Sequence, residues 1–148
     1  MRYTPRMKSQ KYFVLFGIVA LLLVLAGMLV WMYSKKGEDA KVRAKVEQMV
    51  TAWETGDEAL LDSLLHKDAV FAYPGRRLNK EQALEDLRFF RDAYVDTKVY
   101  LHTVIVDGDN VAVEWQFATT NKSTGKRQVV TDAIIAHIKD GRFDVWKE

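Results

Sequence analysis

Cysteine is absent from the 148 residues, so disulfides, thiolate nucleophiles and zinc–thiolate centres are excluded. Acidic residues are absent from the first 36 positions, which hold six basic ones: Arg2, Arg6, Lys8, Lys11, Lys35 and Lys36. The other 16 Lys/Arg stand against all 20 Asp/Glu, so the sequence pI of 8.8 belongs to the N-terminal end and the remainder is net acidic. A net-acidic body without a Lys/Arg cluster argues against nucleic acid as a partner, because neutralising phosphates supplies most of that affinity. No glycine-rich phosphate loop, P-loop or nucleophile elbow occurs. The three histidines, His66, His102 and His137, lack the spacing of a metal site, so no metal and no cofactor are expected.

Charge of either sign is also absent from Tyr12 to Tyr33, YFVLFGIVALLLVLAGMLVWMY. At ~1.5 Å rise per residue this run spans the ~30 Å hydrocarbon core of a bilayer. It has no polar face, which argues against a buried core helix. It exceeds the ~7–15 residues of a signal h-region, and Met28–Tyr33 would stay apolar after a cut at Val24-Leu25-Ala26. A retained single-pass anchor is the reading, with Tyr12, Trp31 and Tyr33 at its two ends, where amphipathic rings favour the interface. The expected organisation is a basic tail (1–11), a transmembrane helix (12–33), a linker (34–39) and one domain (40–148). Four Lys/Arg precede the run and five follow closely, a nearly balanced count. A short tail free of acids before a first helix favours the cytoplasm, which places the domain outside it.

Within the domain, Val42, Val46, Met49, Val50 and Trp53 make the stripe of an amphipathic helix stopped by Gly56. Asp57 suits the N-cap of a short second helix carrying Leu60, Leu61, Leu64 and Leu65, ended by His66-Lys67-Asp68. Ala69–Tyr73 reads as a strand closed by Pro74-Gly75. Asn79 and Gln82 form a capping-box pattern for a third helix over Lys80–Tyr94. The period then becomes two: strands are expected at Val99–Val106, Val111–Thr119, Val129–Ile138 and Arg142–Trp146, joined by turn-rich segments. Helices first and an antiparallel meander after them give an α+β layout, with three helices packed on one face of a bent sheet.

Asp132 is the most informative single residue. It shares strand parity with Val130, Ile134, Ala136 and Ile138. A carboxylate in that apolar row is buried, where its pKa would rise, or lines a cavity; otherwise the row faces solvent or a partner, or Asp132 pairs with a cation. His137 has the opposite parity and His102 lies on a neighbouring strand. Glu114 alternates with Val113 and Trp115, towards a solvated face. The residues expected to line a pocket are Trp53, Phe71, Tyr73, Phe90, Trp115 and Asp132. The candidate catalytic set is Asp132 with Tyr73, His102 and His137.

Several pieces occur together in order: Trp53-x-x-Gly56-Asp57-x-x-x-Leu61-x-x-Leu64, Asp68-Ala69-Val70-Phe71 with Pro74-Gly75, Gly108-Asp109-x-Val111-Ala112-Val113-Glu114-Trp115, and Lys139-Asp140-Gly141-Arg142-Phe143. From about residue 40 onward the chain resembles SnoaL-like domains of the nuclear transport factor 2-like superfamily. The resemblance implies a cone: a strongly curved antiparallel sheet on three helices, with a pocket at its open end. Members include polyketide cyclases, ketosteroid isomerases, dehydratases, epoxide hydrolases and non-catalytic modules. Against the isomerase pattern, Tyr73 stands where a general-base Asp is expected and Met49 where an oxyanion-hole Tyr is expected. Asp132 falls close to the position of an oxyanion-hole Asp. The missing base argues against steroid-type isomerisation.

Two functions are therefore expected from the sequence. The first is a membrane-anchored, non-catalytic module that binds a small apolar ligand or a protein partner, with a homodimer through the sheet face as one arrangement. The alternative is an acid–base enzyme of the cyclase, isomerase or dehydratase type acting on a hydrophobic small molecule.

Overall fold

The computed structural model of the protein describes residues 7–148, with side chains from Leu15 onward. Of the expected tail, residues 1–6 lie outside the described residues, as do the side chains of Lys8, Lys11 and Tyr12. Backbone contacts divide the chain into two units, with the boundary between Glu38 and Asp39.

The first unit is helical. It is the N-terminal part of α1 (Met7–Thr55), which also supplies the first element of the second unit. Among the described residues one helix, near the N-terminus, is long and apolar enough to cross a membrane by length and composition. Leu15 to Tyr33 expose their side chains throughout, and Lys35 Nζ sits 5.9 Å from the Trp31 ring centroid at the end of the run. Residues 34–39, expected as a linker, are helical, and the boundary between the two units falls within them. The stretch SKKGED contains no proline, and its one glycine, Gly37, costs a helix only ~1 kcal/mol.

The second unit continues with α2 (Glu58–Leu64), β1 (Leu65–Tyr73), β2 (Arg76–Leu78), α3 (Lys80–Ala93), β3 (Tyr94–Asp107), β4 (Asn110–Asn121), β5 (Arg127–Lys139) and β6 (Arg142–Lys147). The six strands form one sheet in the order β2-β1-β6-β5-β4-β3. This is the expected α+β architecture, with one addition: β1 and β6 pair in parallel, so the sheet is mixed rather than wholly antiparallel. That pairing also explains why β1 begins at Leu65, four residues before the expected start. Leu65 sits opposite Phe143 and is buried, so the chain extends directly from α2 and does not loop through His66-Lys67-Asp68. Strand β2 is a further addition, folded back on β1 by the Pro74-Gly75 turn.

The caps fall where the side chains predict. Leu60 N donates to Asp57 Oδ1 at 2.9 Å to start α2. At α3, Gln82 N donates to Asn79 Oδ1 (2.9 Å) and Asn79 N to Gln82 Oε1 (3.0 Å), a reciprocal box. The core forms where the stripes meet: Val46, Met49 and Trp53 of α1, Leu61 and Leu64 of α2, and Ala83 and Leu87 of α3 bury against the inner sheet face, including Val113, Trp115, Ile134 and Trp146.

Gly56 ends α1 at φ +67°, and a Cβ there would lie 2.8 Å from both Cγ and Cδ of Arg91. Gly56→Ala should destabilise the domain by about 1–2 kcal/mol, because an L residue is strained in this region and Arg91 must also move. Urea unfolding would read the loss. An unchanged midpoint would show that the backbone relaxes at no cost.

Candidate functional site

The inner sheet face and the helices leave a cavity of about 470 Å³ between them. Its apolar wall is aromatic. Trp53 comes from α1, Phe90 from α3, Phe71 from β1, and Trp115 and Phe117 from alternate positions of β4. Trp53 lies 5.8 Å from Phe71 and, edge-on, 5.8 Å from Phe90. Phe90 and Phe117 meet edge-to-face at 5.1 Å. These are the separations at which ring quadrupoles attract, so the wall is held by its own contacts.

The polar lining is acidic. Asp132 lies on the inner face of β5, half-buried, opposite Trp115 of β4 in the strand register. Trp115 Nε1 donates to Asp132 Oδ2 at 3.4 Å. Tyr73 OH donates to Asp86 Oδ2 at 2.9 Å, and Arg76 NH1 donates to Asp86 Oδ1 at 2.8 Å. Burial, then the hydrogen bond to Asp86 and its charge, pushes the Tyr73 phenol above its usual range, so it remains a donor. Glu148 follows β6 and lines the same cavity. Its Oε1 accepts from Trp146 Nε1 at 3.2 Å. Burial raises its carboxyl from 4.5 to about 7; the Trp146 bond opposes the rise, and the charges of Asp132 and Asp86 add to it. A carboxyl balanced near neutrality can give or take a proton there.

The six residues expected around a pocket, Trp53, Phe71, Tyr73, Phe90, Trp115 and Asp132, all line this one cavity. The histidines of the candidate catalytic set are placed elsewhere. His102 is exposed on β3, and His137 Nδ1 pairs with Asp144 Oδ1 at 2.6 Å; neither lines the cavity. Strand parity explains His137, which alternates with the inward Ala136 and Ile138. Glu114 is exposed, as its parity implied, and accepts from Thr103 Oγ1 at 3.1 Å. Among the described residues no group of three His, Cys, Asp or Glu could hold a metal ion.

Three charged residues of the cavity were not expected from the sequence, Arg76, Asp86 and Glu148, nor were the neutral polar Thr119 and Gln128. Asp86 carried a signal, since it lies one turn before Phe90 on α3 and shares its face. Arg76 did not, because its placement depends on the unexpected strand β2. Glu148 did not either, because its position follows from the parallel pairing of β6 with β1, in which Glu148 N donates to Ala72 O at 2.8 Å.

Residues 46–146 match the family model of the SnoaL-like domain. No curated protein matches the chain in sequence. Among solved structures, it is similar to TsrD from Streptomyces laurentii at 24% identity and TM-score 0.63, covering 72% of this chain and 85% of that one. An LEH-like epoxide hydrolase of M. tuberculosis is 22% identical with TM-score 0.65, covering 73% and 76%. An NTF2-like protein from Burkholderia pseudomallei is 12% identical with TM-score 0.64, covering 72% and 88%. At these identities the likeness is one of fold.

Proposed function

The chain belongs to the SnoaL-like domain family, and we propose that it is a membrane-tethered module whose cavity binds a small, largely apolar molecule. One observation carries the proposal: an open cavity of about 470 Å³ has an aromatic wall and a few polar groups facing the space. A void of that size lined by aromatic rings and convergent polar groups is the general form of a small-molecule site. The tether is proposed from the Tyr12–Tyr33 run, and the acid-free basic tail supports a domain outside the cytoplasm. The fold is shared by proteins of many activities, so the cavity and not the family carries the functional reading.

Val130 offers a direct test. It lines the cavity yet is 50% exposed, so a larger side chain there fills the space at little cost to the core. With the full chain in bilayer discs, small aromatic and alicyclic compounds should raise the melting temperature of the wild type and leave Val130→Trp unmoved. Equal shifts in both proteins would place binding outside the cavity.

A second reading, acid–base catalysis on the bound molecule, is favoured by Glu148, whose carboxyl lies near 7 in the same space as Asp132. In it Glu148 joins Asp132, the acid or base expected from the sequence, and Tyr73, whose proton goes to Asp86, assists by accepting a hydrogen bond. The missing base of the isomerase pattern, with Tyr73 in its place, weighs against it. Deuterium incorporation separates the readings: a molecule whose C–H proton is abstracted gains mass in D2O with the wild type and not with Glu148→Gln. A binding module gives no mass gain in either.

A further inference from the structure

The cavity opens at one end of β5. Along the inner face of that strand Gln128 and Val130 are exposed, Asp132 is half-buried and Ile134 is buried, so the mouth lies towards the β4–β5 hairpin. Phe89 of α3 also lines the cavity and is 69% exposed, which puts its ring on the rim. The hairpin, residues 121–127 (NKSTGKR), carries three cations and no acid. It is fastened to the end of α3: Lys122 N donates to Ala93 O at 2.9 Å and Lys122 Nζ to Arg91 O at 3.0 Å. Arg127 NH1 donates to Asp96 O and to Thr120 Oγ1, both at 3.2 Å. These acceptors are neutral oxygens, and among the described residues Lys122, Lys126 and Arg127 form no ion pair. The acids nearby are Asp92, which Arg91 answers at 3.4 Å, and Asp96. The rim is therefore net positive on a domain that is net acidic.

Two independent features thus meet at one end of the domain: apolar side chains left in water at the cavity's edge, and cations without a counter-charge. The surface of an anionic bilayer answers both, since attachment there scales with the apolar area inserted and with attraction to the headgroups. A soluble polyanion would meet the cations and leave Phe89 in water; an apolar protein face would do the reverse. We infer that the hairpin and the cavity mouth dock on the headgroup layer of an anionic bilayer, Lys122, Lys126 and Arg127 meeting lipid phosphates and Phe89 and Val130 entering the acyl boundary. This rests on the two readings above, the tether and the small-molecule cavity, and it assigns the side from which the occupant comes. The tether keeps the domain beside a bilayer, so a weak surface attraction suffices. Docked in this way, the mouth opens on the lipid phase, where an apolar molecule is most concentrated. The cavity's own carboxylates stay behind the rim, with Asp132 two residues past Val130 on β5.

Because the chain has no cysteine, single fluorophores can be attached at chosen positions. Ser123→Cys places one at the hairpin tip, Lys139→Cys at the opposite end of β5, and Val24→Cys within the apolar run. Each full-length protein is set in bilayer discs of phosphatidylcholine, alone or mixed with phosphatidylglycerol. The quencher is a spin-labelled lipid, labelled on the headgroup for the first two proteins and on the acyl chain for the third. The docked-to-undocked ratio read at Ser123→Cys should be about tenfold higher with phosphatidylglycerol, and high salt should remove the gain. Lys139→Cys should show no gain. Adding Lys122→Gln and Lys126→Glu cancels the hairpin's charge and should abolish the effect, with circular dichroism checking the fold. Lys126→Glu alone, at an exposed position, should cut it severalfold. Equal quenching at Ser123→Cys in the two lipid mixtures, or an equal gain at both ends of β5, overturns the docking surface and leaves the cavity and the tether standing. A gain that persists in the folded double variant overturns it too. A Val24→Cys label that the acyl-chain quencher does not reach sinks the tether itself, and the docking with it.

Discussion

Trp146→Ala should remove about 4 kcal/mol of stability, the largest loss expected from one substitution in the domain. Trp146 is fully buried on β6, the strand that joins the parallel β1 pair to the antiparallel meander. It stacks on Phe71 of β1 at 6.4 Å and 7° between planes, and it contacts Trp115 of β4 at 5.3 Å and Phe143 at 5.1 Å. Deleting the indole opens a void among three other aromatic rings, none of which can collapse into it without leaving its own strand. A loss of that size is a large share of the ~5–15 kcal/mol that domains possess. Trp146→Phe should restore much of the packing but not the donor to Glu148. Urea unfolding of the full chain in bilayer discs, read by near-ultraviolet circular dichroism, measures both. A loss under about 1 kcal/mol for the alanine variant would mean that the centre of the sheet is not packed as described.

The second large effect is on pH. Because its folded-state carboxyl is raised, Glu148 holds a proton between 4.5 and about 7 that the unfolded chain releases. The folded state then binds more protons than the unfolded one, so stability falls as pH rises through that window. The group's share of the fall is about 3 kcal/mol, the order that such a shift implies, and it levels off above about 7. Glu148→Gln removes the ionisation. It should leave stability near pH 4 almost unchanged and raise it at pH 8 by an amount of that order, flattening the profile between. Denaturant midpoints taken at pH 4, 6 and 8 decide it. Parallel profiles for the two proteins would mean that Glu148 ionises as freely folded as unfolded.

The elements legible in the sequence were those with a local cause. Asp57 and the Asn79–Gln82 pair announce two helix starts because a cap is made within four residues. Val111, Val113, Trp115 and Phe117 announce one strand face because alternation is a property of the strand itself. The aromatic side of the cavity was readable for the same reason, as was Asp132, whose parity places it on that face. What was not legible depends on pairing between distant segments. The parallel partnership of β1 with β6 has no local signal, and it decides where β1 begins and where Glu148 lies. The histidines show the converse error. His102 and His137 are plausible bases by type, but one is exposed and the other engages Asp144, so residue type alone misdirected the catalytic set. Helical continuity through residues 34–39 follows from the absence of a strong breaker, which charge and one glycine do not supply.

The central claim is that the aromatic cavity holds a small molecule in the cell. Native mass spectrometry of the full chain, isolated gently from the cells that make it, is the test. The wild type should give a species heavier than the protein by the mass of one small molecule, and Val130→Trp, its fold checked by circular dichroism, should lose it. A wild-type spectrum showing only the bare chain, or an adduct carried equally by Val130→Trp, would contradict it.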